Sequence, residues 1–231
     1  MSEPGPQTPA TPRDDRFAAR LRGFGPIGFL SMLVIVLLGP ILEPLGALVA
    51  LAWAHRSRTP WRELGFARPR SWIATLAIGI VLGGGFKILM KAIVMPLLGA
   101  PPINPVYHFL VGNTAALPEM LWDVTVGAGF GEEVVFRGFL FERLGKLLGQ
   151  TPAARVTTVA LTSVWFGLIH YPGQGLPGAE QATITGLFFG TIFAITGRIW
   201  LPIVMHAAFD VTAVFIIYRN LETTVAHLIF K

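Results

Sequence analysis

Two adjacent carboxylates and an arginine stand in an otherwise apolar stretch of the chain, residues 127–140. Residues four positions apart share one face of a helix, so Glu133 can pair with Arg137, whereas Glu132 points about 100° away from Glu133. Ionisable side chains at membrane depth are costly and usually face a bundle interior or a wet cavity. We therefore interpret Glu132 as the centre of an active site and the Glu133–Arg137 pair as its structural support.

Two histidine motifs follow at the same helical spacing. Phe166 and His170 stand near the end of one apolar segment, and His206 and Asp210 stand within the last one. Taken singly, His170 could be an interfacial residue and His206–Asp210 a hydrogen-bonded pair between helices. Convergence on one cavity would satisfy all of these groups together. A carboxylate and a neutral histidine can then polarise a water for attack on a carbonyl, while a second histidine stabilises the oxyanion.

The composition indicates that helices in a membrane must position these groups. Of the 231 residues, 53% are hydrophobic and only 13% are charged, against roughly 25% charged in soluble domains. Apolar segments near 20 residues recur, the length that crosses a bilayer core about 30 Å thick. We predict an all-α, polytopic transmembrane helical bundle with about six to eight membrane segments, a multi-pass protein of the cell membrane.

The net charge of +5 does not indicate a nucleic-acid partner, because the basic residues fall between the apolar segments. That is their expected place under the positive-inside rule. Residues 99–118 contain no Lys or Arg and are predicted to be non-cytoplasmic, whereas Arg143 and Lys146 place the end of the central helix, residues 119–148, in the cytoplasm. Cysteine is absent, which excludes disulfides, thiol nucleophiles and Cys-ligated metals.

The chain divides into a proline-rich, basic stretch and an apolar remainder. We predict a disordered cytoplasmic tail over residues 1–23 and one membrane-embedded domain over residues 24–231. The apolar run 24–54 is long for one span and short for two. A tight hairpin and a single helix kinked at its prolines both remain open.

Small residues indicate where helices approach closely. Three consecutive glycines occupy positions 83–85, and Ala182, Gly186 and Gly190 repeat at four-residue spacing. The segment 181–196 is predicted to be a span, separated from the span 156–170 by a glycine-rich loop over 174–180.

Lys87 and Lys91 are four residues apart on the predicted span 72–98. We expect both ammonium groups to snorkel towards an interface. A pairing of Lys87 with Glu43 is the weaker alternative.

In this order and on separate spans, the motifs E-E-x-x-x-R, F-x-x-x-H and H-x-x-x-[N/D] resemble those of the CPBP (ABI) family of intramembrane proteases. That family includes the type II CAAX prenyl endopeptidases and bacterial bacteriocin-processing or self-immunity proteins. The resemblance covers roughly residues 61–218. It implies an endopeptidase that hydrolyses a peptide bond of a membrane-associated protein or peptide.

By this resemblance, Glu132 and His170 would activate water, and His206 with Asp210 would stabilise the oxyanion or support the site. Phe166 matches the aromatic residue of the second motif. The prenyl endopeptidases carry Asn at the last motif position. Asp210 is therefore expected to be protonated, to orient His206 as an acceptor, or to take part in metal binding.

Three alternatives remain beside this hypothesis. A metal-dependent protease would use Glu132, His170, His206 and Asp210 as ligands of a divalent ion such as zinc. A non-catalytic immunity or scaffold protein would keep the fold and bind another membrane protein. A proton-coupled transporter is disfavoured, because the sequence has no duplicated halves.

Overall fold

The computed structural model describes residues 12–38 and 44–230, and this part of the chain is helical without β-strands. The prediction of an all-α protein is therefore confirmed. The helices in chain order are α1 (Pro12–Arg22), α2 (Pro26–Leu38), α3 (Leu45–Arg56), α4 (Trp72–Leu97), α5 (117–148), α6 (Pro152–Thr196), α7 (Trp200–Tyr218) and α8 (Glu222–Ala226).

Three of the described helices, α4, α6 and α7, are long and apolar enough to cross a membrane. The bent pair Asp15–Arg22 and Pro26–Leu37, whose axes meet at 60°, could form a fourth span. The prediction of six to eight membrane segments also counted α5 and helices shorter than a full span. With 13 and 12 residues, α2 and α3 reach only about 20 Å, and α5 carries buried charges in its apolar stretch.

The first described helix corrects part of the predicted disordered tail. Residues 12–22 are helical, and Ala18 is buried. The indole Nε1 of Trp53 donates to the carbonyl of Leu21 at 3.3 Å. Arg143 Nη1 donates to the carbonyl of Arg22 at 2.6 Å. The end of α1 is therefore held by side chains distant in sequence, which the local composition could not reveal. Residues 1–11 lie outside the described residues.

The apolar run 24–54 contains two separate helices, α2 and α3. Ile35 of α2 and Ala47 and Ala50 of α3 are buried in one hydrophobic core. This arrangement favours the hairpin over a single kinked helix. Residues 39–43, which include the proposed Lys87 partner Glu43, lie outside the described residues.

Helix α5 is the centre of the bundle. Phe139 packs edge-on against Trp53 of α3 at a centroid distance of 4.8 Å, and Phe136 packs against Phe166 of α6 at 4.9 Å. On the α7 side, a Cβ on Gly129 would lie 3.0 Å from the methyl group of Ala207. Neighbours on three sides thus surround the helix that carries Glu132 and Glu133.

Helix α6 is a sharp hairpin and not two spans joined by a loop. The helical conformation breaks at Gly175 alone, where φ is 65°, so the predicted loop over 174–180 is wrong. Pro177 lies in the first turn of α6 after the break. Backbone N–H groups in a first turn have no partner within the helix, so the missing N–H of proline removes no hydrogen bond. A Cβ on Gly186 would lie 3.0 Å from Cα of Ser163. The predicted close packing through Gly186 is confirmed, and its partner is the first half of the same hairpin.

Helices α4 and α7 also approach through glycine. A Cβ on Gly79 would lie 2.5 Å from Val204 Cγ1, and one on Gly83 would lie 2.0 Å from the carbonyl oxygen of Met205. The outward face of α4 is apolar, with Ile73 and Val81 largely exposed. This face suits contact with lipid, while the glycine face sets the distance to α7.

We expect Gly83→Ala to destabilise the protein by about 2 kcal/mol, because the new methyl group overlaps the α7 backbone and the two helices must separate. Gly85→Ala is the matched control, since its Cβ would meet nothing within 4 Å. Thermal unfolding of both variants in detergent checks this. Equal midpoints for the two variants would contradict the assigned contact.

Candidate active site

The three motifs meet in one cavity of about 460 Å³. Its wall includes Glu132 from α5, Phe166 and His170 from the first half of α6, and His206 and Asp210 from α7. The convergence predicted from the sequence is thus present in the structure. Side chains separated by up to 78 positions in sequence become neighbours because α6 and α7 both pack against α5.

Glu132 lies in the wall of this cavity and is buried, with 5% of its surface accessible. Its Oε1 atom is 3.8 Å from Nε2 of His170, and its Oε2 atom is 3.6 Å from Nε2 of His206. The carboxylate therefore faces one nitrogen of each histidine. This is the arrangement that lets a carboxylate and an imidazole share a small polar molecule.

His170 has a defined tautomer when its ring is neutral. Its Nδ1 lies 2.7 Å from the carbonyl oxygen of Phe166, and a carbonyl only accepts hydrogen bonds. The hydrogen therefore sits on Nδ1, and the lone pair on Nε2 faces Glu132. The ring of Phe166 packs edge-on against the imidazole at 4.6 Å and limits its rotation.

Glu133 points away from the cavity and joins two helices. Its Oε1 atom accepts from Arg137 Nη1 at 2.7 Å and lies 2.8 Å from His206 Nδ1. The predicted Glu133–Arg137 pair is confirmed, and His206 is a third member that the sequence did not indicate. The guanidinium also stacks over Phe166 at 5.0 Å and donates to the carbonyl of Gly186 at 3.4 Å.

Asp210 lies one helical turn beyond His206. Its Oδ2 atom is 3.3 Å from His206 Nε2, and 23% of its side chain is accessible, more than for Glu132 or His170. Nε2 of His206 therefore lies between two carboxylates, whereas Nδ1 is held by Glu133. Among the expected roles of Asp210, orientation of His206 agrees best with this contact.

The backbone of α5 departs from α-helical geometry at the site. Two stretches, Asp123–Glu132 and Val134–Leu140, have π-helical hydrogen bonds, and they meet at Glu133. Such i→i+5 turns are rare and often occur at functional sites. The sequence predicts only a regular helix here, since no side-chain pattern marks this change of hydrogen-bond register.

Two lysines contribute to the cavity wall, contrary to the predicted snorkelling. Lys87 is 8% accessible, donates to Gln181 Oε1 at 3.0 Å and lies 4.7 Å above the ring of Phe209. Lys91 donates to Glu222 Oε1 at 3.0 Å. The four-residue spacing of positions 79, 83, 87 and 91 is the sequence feature that could have predicted this inward direction. Since the two glycines of this series face α7, the two lysines that follow must face inward as well.

Glu222 of α8 contributes to the wall at one end of the cavity, a role that the sequence did not indicate. Its Oε1 atom accepts from the backbone N–H of Asn104 at 3.0 Å as well as from Lys91. His108 Nδ1 lies 3.8 Å from the other oxygen but is half accessible. Gln174 Nε2 donates to the hydroxyl of Tyr107 at 3.2 Å on the far side of the same loop.

A metal centre does not fit the observed arrangement. Within residues 12–38 and 44–230, no three His, Asp or Glu side chains are placed to hold a metal ion together. The Nδ1 atom of each site histidine is already held by Glu133 or a carbonyl oxygen. These bonds leave Nε2 of both histidines facing Glu132, where a water molecule can be shared with the carboxylate.

Residues 114–212 match a family model described as Type II CAAX prenyl endopeptidase Rce1-like. Comparisons with curated proteins and with solved structures gave no match. The matched residues begin before α5 and end after Asp210, so they contain every motif residue of the cavity. Over residues 114–212 the chain is therefore similar to the type II CAAX prenyl endopeptidase Rce1-like family.

Proposed function

We propose that the protein is an intramembrane endopeptidase that hydrolyses a peptide bond of a membrane-associated protein or peptide. One observation carries the proposal: the Glu132 carboxylate lies within 3.8 Å of Nε2 of both His170 and His206 in a cavity. The family match supports the endopeptidase class in general. We infer the catalytic roles of the individual residues from the geometry of the site.

A water molecule bound between Glu132 Oε1 and His170 Nε2 would donate to both, since each presents a lone pair. Glu132 takes a proton from this water as its oxygen attacks the carbonyl carbon of the scissile peptide. The attack gives a tetrahedral intermediate with a negatively charged oxygen. Burial among Phe166 and neighbouring apolar groups limits the competing solvent, which strengthens these interactions.

His206 is placed to stabilise that oxyanion. Glu133 holds the Nδ1–H, so a ring protonated on both nitrogens presents Nε2–H to the developing charge. The carbon–nitrogen bond then breaks, and the proton held by Glu132 passes to the leaving amine. The products are a carboxylic acid and an amine, which exchange one proton to become a carboxylate and an ammonium group, and Glu132 returns to its ionised form.

We expect Glu132→Gln to reduce hydrolysis by at least about a hundredfold while the protein still folds, because the amide cannot accept the proton of water. Cleavage of a membrane-peptide library by the purified protein in detergent measures this. Glu119→Gln, an exposed position on the same helix, is the matched control and keeps full activity.

The same assay with a chelator separates this mechanism from a metal-dependent protease. We expect unchanged cleavage with the chelator; loss of activity that zinc restores would replace the carboxylate mechanism by a metal one. Retention of the biological effect by Glu132→Gln in the cell would instead indicate a non-catalytic membrane partner.

Asp210→Asn is expected to keep activity within about tenfold, because the amide oxygen still accepts from His206 and the amide N–H can face the oxyanion. Asp210→Ala removes both and should lower kcat by about 10²–10³. Measurement of kcat and KM for the two variants distinguishes orientation of His206 by Asp210 from a requirement for the negative charge of Asp210. If Asn is as damaging as Ala, the negative charge of Asp210 itself is required.

Arg137→Ala should cost about 3–5 kcal/mol of stability, because it leaves the buried Glu133 carboxylate without its cationic partner. Expression level and thermal unfolding in detergent report this loss. Arg155→Ala, an exposed arginine, is the matched control. Full expression together with full activity of Arg137→Ala would contradict the structural role of the pair.

A further inference from the structure

We propose that the cavity opens on the non-cytoplasmic face of the membrane, so that its substrates are peptide segments presented from that face. That the bound peptides are substrates rests on the proposed function, whereas the direction of the opening rests on the structure and the charge distribution alone.

The cavity reaches one end of the bundle. The loop before α5 lines it from Ala100 to Tyr107, and several of these residues, including Val106, are exposed. The start of α5, the turn at the tip of the α6 hairpin, the end of α7 and the start of α8 complete the wall, through Met120, Gln174, Ile217 and Glu222.

These elements form a single end because they are bonded to one another. The backbone N–H of Gly112 donates to the carbonyl of Tyr218 at 3.0 Å, which joins the loop to the end of α7. Glu222 joins α8 to both α4 and the loop through Lys91 and Asn104. We refer to this end as the mouth end.

The opposite end is basic, and among the described residues it contributes nothing to the cavity wall. Lys146 at the end of α5 pairs with Glu63 at 2.5 Å, and the N–H of Ile199 donates to Gly65 at 3.0 Å. These contacts bring the loops α3–α4 and α6–α7 to the end of α5. The basic residues there are Arg56, Arg58, Arg62, Arg68, Arg70, Arg143, Lys146, Arg155 and Arg198.

Charge bias in short loops sets the orientation of a membrane protein, with Lys and Arg retained in the cytoplasm. At the mouth end, the segments 98–118 and 171–181 contain neither Lys nor Arg, and only Arg219 and Lys231 follow α7 in the sequence. Lys87 and Lys91 lie within α4 and are held inside the cavity. The basic end is therefore cytoplasmic, and the mouth faces the other side.

This orientation restricts the class of substrate. A protein tail that lies in the cytoplasm would meet the basic end, which contributes no described residue to the cavity wall. A peptide released outside the membrane, or a segment flanking the outer end of a membrane helix, would meet the mouth directly. The proposal thus predicts exported or externally exposed peptide segments as substrates.

The absence of cysteine allows a direct test in whole cells, because a single introduced thiol is the only one in the chain. We choose Val106→Cys at the mouth and Gln150→Cys in the exposed turn at the basic end. A membrane-impermeant maleimide should label the first variant fully in intact cells and the second only after permeabilisation. The reverse pattern, or labelling of Gln150→Cys in intact cells, would overturn the orientation.

Ala128→Cys tests the opening itself, since Ala128 lines the cavity one turn from Glu132. A small charged methanethiosulfonate should modify this thiol in intact cells at the rate seen after permeabilisation. Modification only after permeabilisation would show that the cavity opens to the cytoplasm and would overturn the proposal.

Sealed vesicles separate this inference from the proposed function. Peptides added outside should be cleaved by right-side-out vesicles and spared by inside-out vesicles. Cleavage only in inside-out vesicles would overturn the inference while supporting the protease. Absence of cleavage in both, together with the expected thiol labelling, would contradict the protease and leave the orientation supported.

Discussion

The buried carboxylate of Glu133 is the interaction on which the site depends. One oxygen accepts from Arg137 of its own helix and bonds to His206 of α7, while Arg137 reaches the carbonyl of Gly186 in α6. A charge with no accessible surface must have such partners, since loss of one leaves an uncompensated ion. The bonds of Glu133 Oε1 and of Arg137 therefore hold three helices together and turn Nε2 of His206 towards the cavity. Glu133, which joins the helices, and Glu132, which faces the two histidines, are thus adjacent residues of α5.

Close helix packing places the remaining groups. Gly83 lets α4 lie against the backbone of α7, and Gly186 lets the halves of the α6 hairpin lie against each other. Lys87 lies one turn beyond Gly83 on α4, and Phe166 lies one turn from Ser163, the residue that Gly186 contacts. In a membrane, where lipid is as apolar as the side chains, small residues are a common means of helix association. The glycines thus determine distances at the site without taking part in chemistry.

The cavity is polar well beyond the four motif residues. Lys87 and Lys91 bring two ammonium groups into it, and Glu222 brings a carboxylate that is 2% accessible. Each of these charged groups has a partner. Lys87 contacts the side-chain amide of Gln181 and the ring of Phe209, and Lys91 and Glu222 form an ion pair with each other. These contacts keep a charged, hydratable space open between apolar helices. Such a space is a requirement for hydrolysis, since water must enter with the substrate.

The sequence by itself determined the all-α membrane class, the Glu133–Arg137 pair and the identity of the motif residues, because these follow from composition and from spacing within single helices. Residues four apart on a helix meet wherever the helix lies. The tertiary structure decided the rest: the partner of His206, the inward direction of Lys87, the helical state of residues 12–22 and the single-residue break at Gly175. Each of these depends on contacts between residues far apart in the chain. The π-helical register of α5 belongs to the same group, since it depends on backbone hydrogen bonds that side-chain periodicity does not report.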